Sequence, residues 1–203
     1  SGKYHLMTNR FGSEAANPGD IYSDLFKFQN QNLTANTETI WAVQYEYLTP
    51  GGGSDYGAKG NSMLRSYGAR YWSLLDPDGK SGMIVDPNPN YGMGRGVAWE
   101  SPTSYMRNDI WAGDDVDMRN SAYNIRRDYY YNNPASAYYG QKVIITPGTD
   151  TLQYTIPTFR KIEGIYQAGA TTGRDFTDFY KMRLAETYLL RAEAYFKKGD
   201  LAD

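Results

Sequence analysis

The chain has 203 residues, with 21 lysines and arginines against 23 aspartates and glutamates, for a formal net charge of −2. This near balance, without long runs of like charge, excludes a broad electrostatic field for nucleic acid or anionic lipid, and no nucleic-acid partner is expected. The absence of cysteine excludes disulfides, cysteine-ligated zinc and cysteine nucleophiles.

The first quarter of the chain predicts one short helix and one strand. Residues 20–28 follow the breaker Pro18-Gly19 and have the composition of a short helix. Residues 36–45 are rich in β-forming side chains and end before a run of one proline and three glycines at residues 50–53. They predict a strand.

Regular signals almost vanish between residues 48 and 99, where glycines, prolines and aromatic residues alternate. A loop of this length inside a compact domain is usually functional or disordered, and its aromatic content argues against disorder. The 20 tyrosines of the chain supply large flat faces with polar tips, which suit wet binding surfaces. Residues 48–99 are therefore predicted to be a long aromatic and glycine-rich loop.

Short elements are expected in the second half. Residues 102–111 predict a short helix with Pro102 in its first turn. Residues 121–132 alternate enough to predict a strand. Residues 143–145 and 152–156 predict a hairpin across an intervening Pro-Gly pair.

The last segment has the clearest helical period. Asp175 or Asp178 is predicted to cap its start, and Gly199 to supply the left-handed residue past its end. Glu193 and Lys197 stand in the favourable i,i+4 orientation. One apolar stripe, which the helix cannot bury alone, contains Met182, Ala185, Leu189, Ala192 and Phe196.

The spacing of Tyr188, Ala192 and Tyr195 before Gly199 matches the end of a tetratricopeptide helix and its turn. We assign residues 178–203 to such a helix and turn. Residues 1–4 read like the same corner, so the chain is interpreted as a fragment that begins after one repeat helix and stops before another.

Five blocks in matching order resemble the SusD/RagB family, surface nutrient-binding lipoproteins of Bacteroidetes. The best match is RLAETYLLRAEA at residues 183–194, close to a signature of that family's C-terminal region. The resemblance covers nearly all of residues 1–203. The other four blocks are residues 36–41, 114–120, 124–130 and 175–176.

The resemblance implies a mainly α protein with tetratricopeptide-type helices at the ends, long irregular loops and a few short strands. It implies non-catalytic capture of glycans, or sometimes peptides, at the outer-membrane surface for a SusC-like TonB-dependent transporter. Contact with the membrane would run only through a lipid anchor that this sequence lacks, and no cofactor is implied.

Glycan capture needs flat apolar faces for sugar C–H surfaces and polar groups for hydroxyls. The loop at residues 48–99 supplies both kinds of side chain. For any single aromatic residue, the alternative is that it packs inward and pins the loop. The stacking candidates are Tyr67, Tyr71, Trp72, Tyr91 and Trp99, and the polar candidates are Arg65, Arg70, Asn88 and Asn90.

An acidic cluster of Asp114, Asp115 and Asp117 has oxygen ligands at the short spacing that calcium prefers. It lacks the glycine and distal glutamate of an EF-hand loop. The alternative, which we favour, is a capping turn in which Arg119 holds Asp117.

Two rival functions remain open. A tetratricopeptide-like scaffold would bind protein segments in its grooves, and a glycan hydrolase would need two close carboxylates in one cleft. Nothing in the sequence selects two of the 23 acidic residues. The single histidine, His5, has no serine in an elbow sequence near it, which argues against a serine triad. No enzyme is expected.

Overall fold

The computed structural model describes residues 2–47, 49–53, 60–85, 94–114, 116–146, 153–163 and 173–200. The chain divides into two compact units, which are Ser1–Gln44 with Asp178–Asp203 (unit 1) and Tyr45–Thr177 (unit 2). The α-helices and strands of the described residues are α1 (Ile21–Leu25), β1 (Thr39–Val43), α2 (Met63–Tyr67), α3 (Ser104–Arg107), β2 (Ile125–Arg126), β3 (Thr158–Phe159), β4 (Phe179–Arg183) and α4 (Leu184–Lys198).

The expectation of a mainly α protein with tetratricopeptide-type helices at both ends is wrong. Over the described residues the structure is 26% helical and 12% strand. Residues 2–20 contain no helix, and among the described α-helices only α4 exceeds five residues. A glycine ends one of the short helices, since α2 stops at Gly68.

Unit 1 is built on an antiparallel pair of β1 and β4, whose register shifts on either side of Trp41. This confirms a strand within residues 36–45. The helix predicted over residues 20–28 is present as the shorter α1, which Asp20 caps by accepting a hydrogen bond from the backbone N–H of Ser23 at 2.7 Å.

A buried carboxylate fixes the N-terminal segment on α1. Asp24 accepts hydrogen bonds from Arg10 Nε at 2.5 Å and from the backbone N–H of Phe11 at 3.1 Å. Its side chain is fully buried, and that of Arg10 is about one-quarter exposed. Burial makes such a pair costly to break from one side.

The final helix is confirmed, but its predicted start is wrong. Gly199 ends α4 at φ 79°, as predicted, and Glu193 pairs with Lys197 at 2.5 Å. Neither Asp175 nor Asp178 caps the helix, because β4 runs on to Arg183. Met182 therefore belongs to the strand and not to the helical stripe.

The apolar face of α4 is open to solvent, and Phe196 is 71% exposed. None of the described helices is long and apolar enough to cross a membrane.

Unit 2 has a mixed core in which three tyrosines pack with aliphatic side chains and a methionine. The phenol of Tyr129 donates to the carbonyl oxygen of Ile156 at 2.6 Å inside this core, so its one polar atom is satisfied. Several members come from residues 48–99, so this region is part of a packed core rather than an open loop alone. The buried cluster consists of Leu64, Ala69, Tyr71, Met83, Tyr129, Tyr131, Val143 and Ile156.

The strand predicted over residues 121–132 is reduced to β2, which pairs with β3 over two residues. The predicted hairpin is wrong in its described part, because residues 143–145 and 153–156 form no strand. The strand that does form after these residues is β3, which pairs with β2. The helix predicted over residues 102–111 appears as α3 followed by a 3₁₀ turn, Asp109–Trp111.

Candidate functional site

A surface cleft of about 310 Å³ in unit 2 is the candidate site. Its walls are mainly apolar, with a carboxylate, a phenol and an ammonium group among the lining side chains. This combination is usual for small-molecule sites, which have apolar walls and a few polar groups that fix orientation. The lining residues are Met63, Tyr67, Glu100, Ser101, Pro102, Pro157, Thr158, Phe159, Lys161 and Ile162.

Helix α2 provides one wall. Met63 and Tyr67 lie four residues apart, so both side chains are on the same face of α2. On β3, Thr158 is buried and Phe159 half-buried, and Lys161 Nζ lies 5.7 Å from the centre of the Phe159 ring.

A close backbone approach brings Glu100 to α2. A Cβ at Gly96 would lie 2.3 Å from the carbonyl carbon of Gly68, so the two backbone segments can approach this closely only with glycine at the contact. The following residues are held by backbone hydrogen bonds, in which Ala98 N–H donates to Gly68 at 2.9 Å and Glu100 N–H donates to Ser66 at 3.0 Å. These contacts place Glu100 beside α2.

Tyr67 and Glu100 form the polar part of the cleft. The Tyr67 hydroxyl hydrogen-bonds the Glu100 carboxylate, and this bond, together with the negative charge, raises the pKa of Tyr67 above its usual value. The pair offers hydrogen-bonding groups to ligand hydroxyls. Of the residues that line the described cleft, Glu100 alone carries a carboxylate.

Trp99 directly precedes Glu100 in the chain and is 62% exposed. The guanidinium carbon of Arg65 lies 4.9 Å from the centre of its ring. A guanidinium at this distance is a cation–π contact, which holds the indole in place while most of its surface stays open to solvent.

Trp72 is surrounded by arginine. The guanidinium carbons of Arg70 and Arg95 lie 5.1 Å and 4.8 Å from the centre of its ring. Its indole N–H donates to the carbonyl oxygen of Gly96 at 2.8 Å, and the side chain is half-buried. Trp72 thus serves as a platform for two cations.

The predicted aromatic candidates separate by burial. Tyr67 and Trp99 are exposed, whereas Tyr71 is 1% exposed and packs in the core of unit 2, with its ring 6.4 Å from that of Tyr129. Tyr71 therefore offers no ring face to a ligand in this structure. Tyr91, Asn88 and Asn90 lie outside the described residues.

The acidic cluster forms a turn. Asp114 accepts hydrogen bonds from the backbone N–H groups of Val116 and Asp117, at 3.3 Å and 3.0 Å. Asp117 caps the 3₁₀ helix Met118–Asn120 and pairs with Arg119, which is the arrangement of the favoured alternative. The third member, Asp115, lies outside the described residues.

Of the residues that line the cleft, only Tyr67 was a candidate from the sequence, and the side chains that it missed include Glu100, Phe159 and Lys161, as well as Arg95 at Trp72. The sequence did carry a signal for Glu100, since this residue directly follows Trp99, which was itself a stacking candidate. Phe159 and Lys161 come from a segment 60 residues further along the chain, which no local pattern connects to α2. Arg95 stands between two glycines, and nothing local relates it to Trp72.

Neither the curated proteins nor the solved structures contain a match to this chain. A family model does match: the one described as the SusD family aligns with residues 37–203, which is most of the chain. Because the match exceeds half of the sequence, the chain belongs to the SusD family.

Proposed function

We propose that this chain captures glycans without catalysis, by stacking sugar rings on exposed aromatic faces and hydrogen-bonding hydroxyls at the cleft. Membership of the SusD family supports a glycan-binding role in nutrient uptake in general terms. The observation that carries the proposal is the cleft, which the hydrogen-bonded Tyr67 and Glu100 line, together with the exposed Trp99 that precedes Glu100 in the chain.

The chemistry of the cleft fits sugars. A pyranose has apolar C–H faces and a rim of hydroxyls, so it needs a flat ring and nearby donors and acceptors. The Trp99 indole provides a broad flat surface, and the Glu100 carboxylate accepts hydrogen bonds. Lys161, which reaches the cleft from a later segment of the chain, adds a hydrogen-bond donor.

The single carboxylate of the cleft supports binding over hydrolysis. Glycosidases generally use a pair of carboxyl groups, about 5–10 Å apart, as acid and as base or nucleophile. Glu100 has no second acidic side chain beside it among the described lining residues. SusD-family proteins are in general non-catalytic carbohydrate binders.

We extend the proposal to the cellular setting. Proteins of this family generally work at the outer-membrane surface with a SusC-like transporter, and we propose that this chain delivers its glycan to such a TonB-dependent partner. The lipid anchor that the family uses would hold the protein at the surface.

Affinity electrophoresis of the chain in gels that contain soluble polysaccharides tests the proposal. We expect one or more polymers to retard the wild type, and Trp99→Ala to weaken the retardation about ten-fold or more, as for an aromatic hot spot. Tyr67→Phe, which keeps the ring and removes the hydroxyl bonded to Glu100, should weaken it less.

Trp41→Ala is the matched control, since Trp41 is 63% exposed but lies on β1 in unit 1. Equal loss in Trp41→Ala and Trp99→Ala would place the binding surface elsewhere. Retardation by no polymer in the panel would overturn glycan capture and favour peptide capture.

A further inference from the structure

Two guanidinium groups share one indole ring in unit 2. Arg70 and Arg95 both lie within cation–π distance of Trp72, at 5.1 Å and 4.8 Å. The ring is itself fixed by its hydrogen bond to Gly96. Arg70 also lies 6.0 Å from the centre of the Tyr154 ring. The positions of both cations are therefore set by aromatic neighbours.

Neither Arg70 nor Arg95 is neutralised by an acidic side chain among the residues that the structure describes. The Nε of Arg70 donates to the uncharged hydroxyl of Ser73 at 3.0 Å. By contrast, a carboxylate lies within 4.0 Å of several other described arginines, among them Arg10, Arg119, Arg126, Arg160 and Arg183.

An aromatic ring attracts a cation but does not cancel its charge. Two half-buried guanidinium groups on one ring repel each other, and water screens that repulsion less than at a fully exposed site. An anion that pairs with either guanidinium group offsets its charge and lowers the repulsion. The planar guanidinium fork matches the oxygens of a carboxylate or of a sulfate ester, with two parallel hydrogen bonds.

The geometry points to an acidic glycan: we propose that Arg70 and Arg95, held on Trp72, bind the carboxylate or sulfate groups of the captured polysaccharide. This proposal rests on the proposed function and names the class of its ligand. The group formed by Trp72, Arg70 and Arg95 belongs to unit 2, as does the cleft. The second arginine–tryptophan pair, Arg65 and Trp99, belongs to unit 2 as well.

Matched pairs of polymers test it in affinity electrophoresis with the full chain. The probes are polygalacturonate and its carboxyl-reduced form, chondroitin sulfate and its desulfated form, and a neutral glucan and galactan. We expect retardation by an acidic polymer, with at least about ten-fold weaker binding after carboxyl reduction or desulfation. Which pair responds distinguishes a carboxylate from a sulfate.

The variants Arg70→Gln and Arg95→Gln should weaken binding of the acidic polymer by about ten-fold or more each. Arg191→Gln is the matched control, because Arg191 also stacks on an aromatic ring, at 5.2 Å from Tyr188, but lies in unit 1. Near-ultraviolet circular dichroism of the tryptophans checks that the variants remain folded.

Retardation of the wild type by neutral polymers that survives both arginine variants would overturn the acidic-glycan assignment and leave glycan capture standing. If no polymer retards the chain, the proposed function fails, and a thermal-shift titration with sodium galacturonate and sodium sulfate decides the anion site alone. A rise in melting temperature that the Arg95→Gln variant lacks would support the anion site. No rise in the wild type would overturn it.

Discussion

Tyr71 and Trp99 carry large aromatic side chains in the same stretch of sequence, yet their surroundings are opposite. Tyr71 is 1% exposed, whereas Trp99 is 62% exposed. The difference comes from the neighbours in space, because Tyr71 meets Tyr129 in the core of unit 2 and Trp99 meets mainly a guanidinium. Tyr71 therefore stabilises the fold, whereas Trp99 is available for binding.

The first prediction compares the two by truncation. Tyr71→Ala should lower the free energy of unfolding by about 3–5 kcal/mol, the range for loss of a buried aromatic side chain. Trp99→Ala should change it by no more than about 0.5 kcal/mol, as for an exposed site. Urea unfolding followed by circular dichroism measures both, and similar losses in the two variants would contradict this assignment.

Asp175 gives a prediction about pH. Its side chain is buried, its Oδ1 accepts a hydrogen bond from the backbone N–H of Phe176 at 2.8 Å, and burial raises the pKa of the carboxyl above its usual value. Its contribution to stability is therefore full below the unfolded pKa and is lost as pH rises through the folded pKa. Asp175→Asn should be more stable than the wild type at neutral pH, with an advantage that shrinks in acid.

Asp76 provides the control, because its pKa is shifted in the opposite direction to that of Asp175. The hydroxyl of Ser136 donates to its Oδ2 at 2.6 Å, and this bond, against the effect of burial and with backbone donors, lowers the pKa of the Asp76 carboxyl. Its contribution is present above the unfolded pKa and is lost as pH falls through the folded one. Asp76→Asn should be less stable at neutral pH, and melting curves at several pH values should show its deficit shrinking in acid.

At the scale of elements, one carboxylate joins the two strands of a very short sheet. Glu163 accepts from Arg126 Nε at 2.6 Å and from Arg160 Nε at 3.0 Å, and β2 and β3 pair over two residues only. Burial alone would raise the pKa of Glu163, but the two guanidinium groups hold it below its usual value. Two arginines thus share one buried carboxylate.

Glu163→Gln should cost about 3 kcal/mol of unfolding free energy, because it removes the carboxylate charge that faces the buried Arg126 guanidinium. Asp128→Asn, which breaks the exposed pair with Lys142, should change little. Denaturant midpoints of the two variants provide the comparison. Equal midpoints would show that the ion triad does not hold the β2–β3 pair.

The elements that the sequence predicted well are those whose signals are local. Helix α4 was predicted because its period, its Glu193–Lys197 pair and Gly199 all lie within the segment. Its start was not, because β4 is defined by pairing with β1, 140 residues earlier in the chain. The same holds for β2, whose partner β3 no local pattern indicates.

At the scale of the whole molecule, each unit has its own buried ionic contact and its own aromatic packing. Unit 1 has Asp24 with Arg10, and unit 2 has Glu163 with its arginines. The candidate cleft lies wholly in unit 2, where a strip at residues 94–100 crosses α2. Sequence reasoning named Tyr67 and Trp99 from their residue type, but it had no means to pair Tyr67 with Glu100 or Arg95 with Trp72.

This division leads to the last prediction. Asp24→Ala removes the acceptor for the Arg10 guanidinium and for the Phe11 N–H and should destabilise unit 1 by about 3 kcal/mol. We expect hydrogen exchange to quicken in residues 2–44 and 178–200, while the core of unit 2 keeps its protection. Retardation by a glycan should also stay unchanged, because the cleft belongs to unit 2. Faster exchange throughout residues 60–163, with loss of glycan retardation, would show instead that the chain unfolds as one cooperative body.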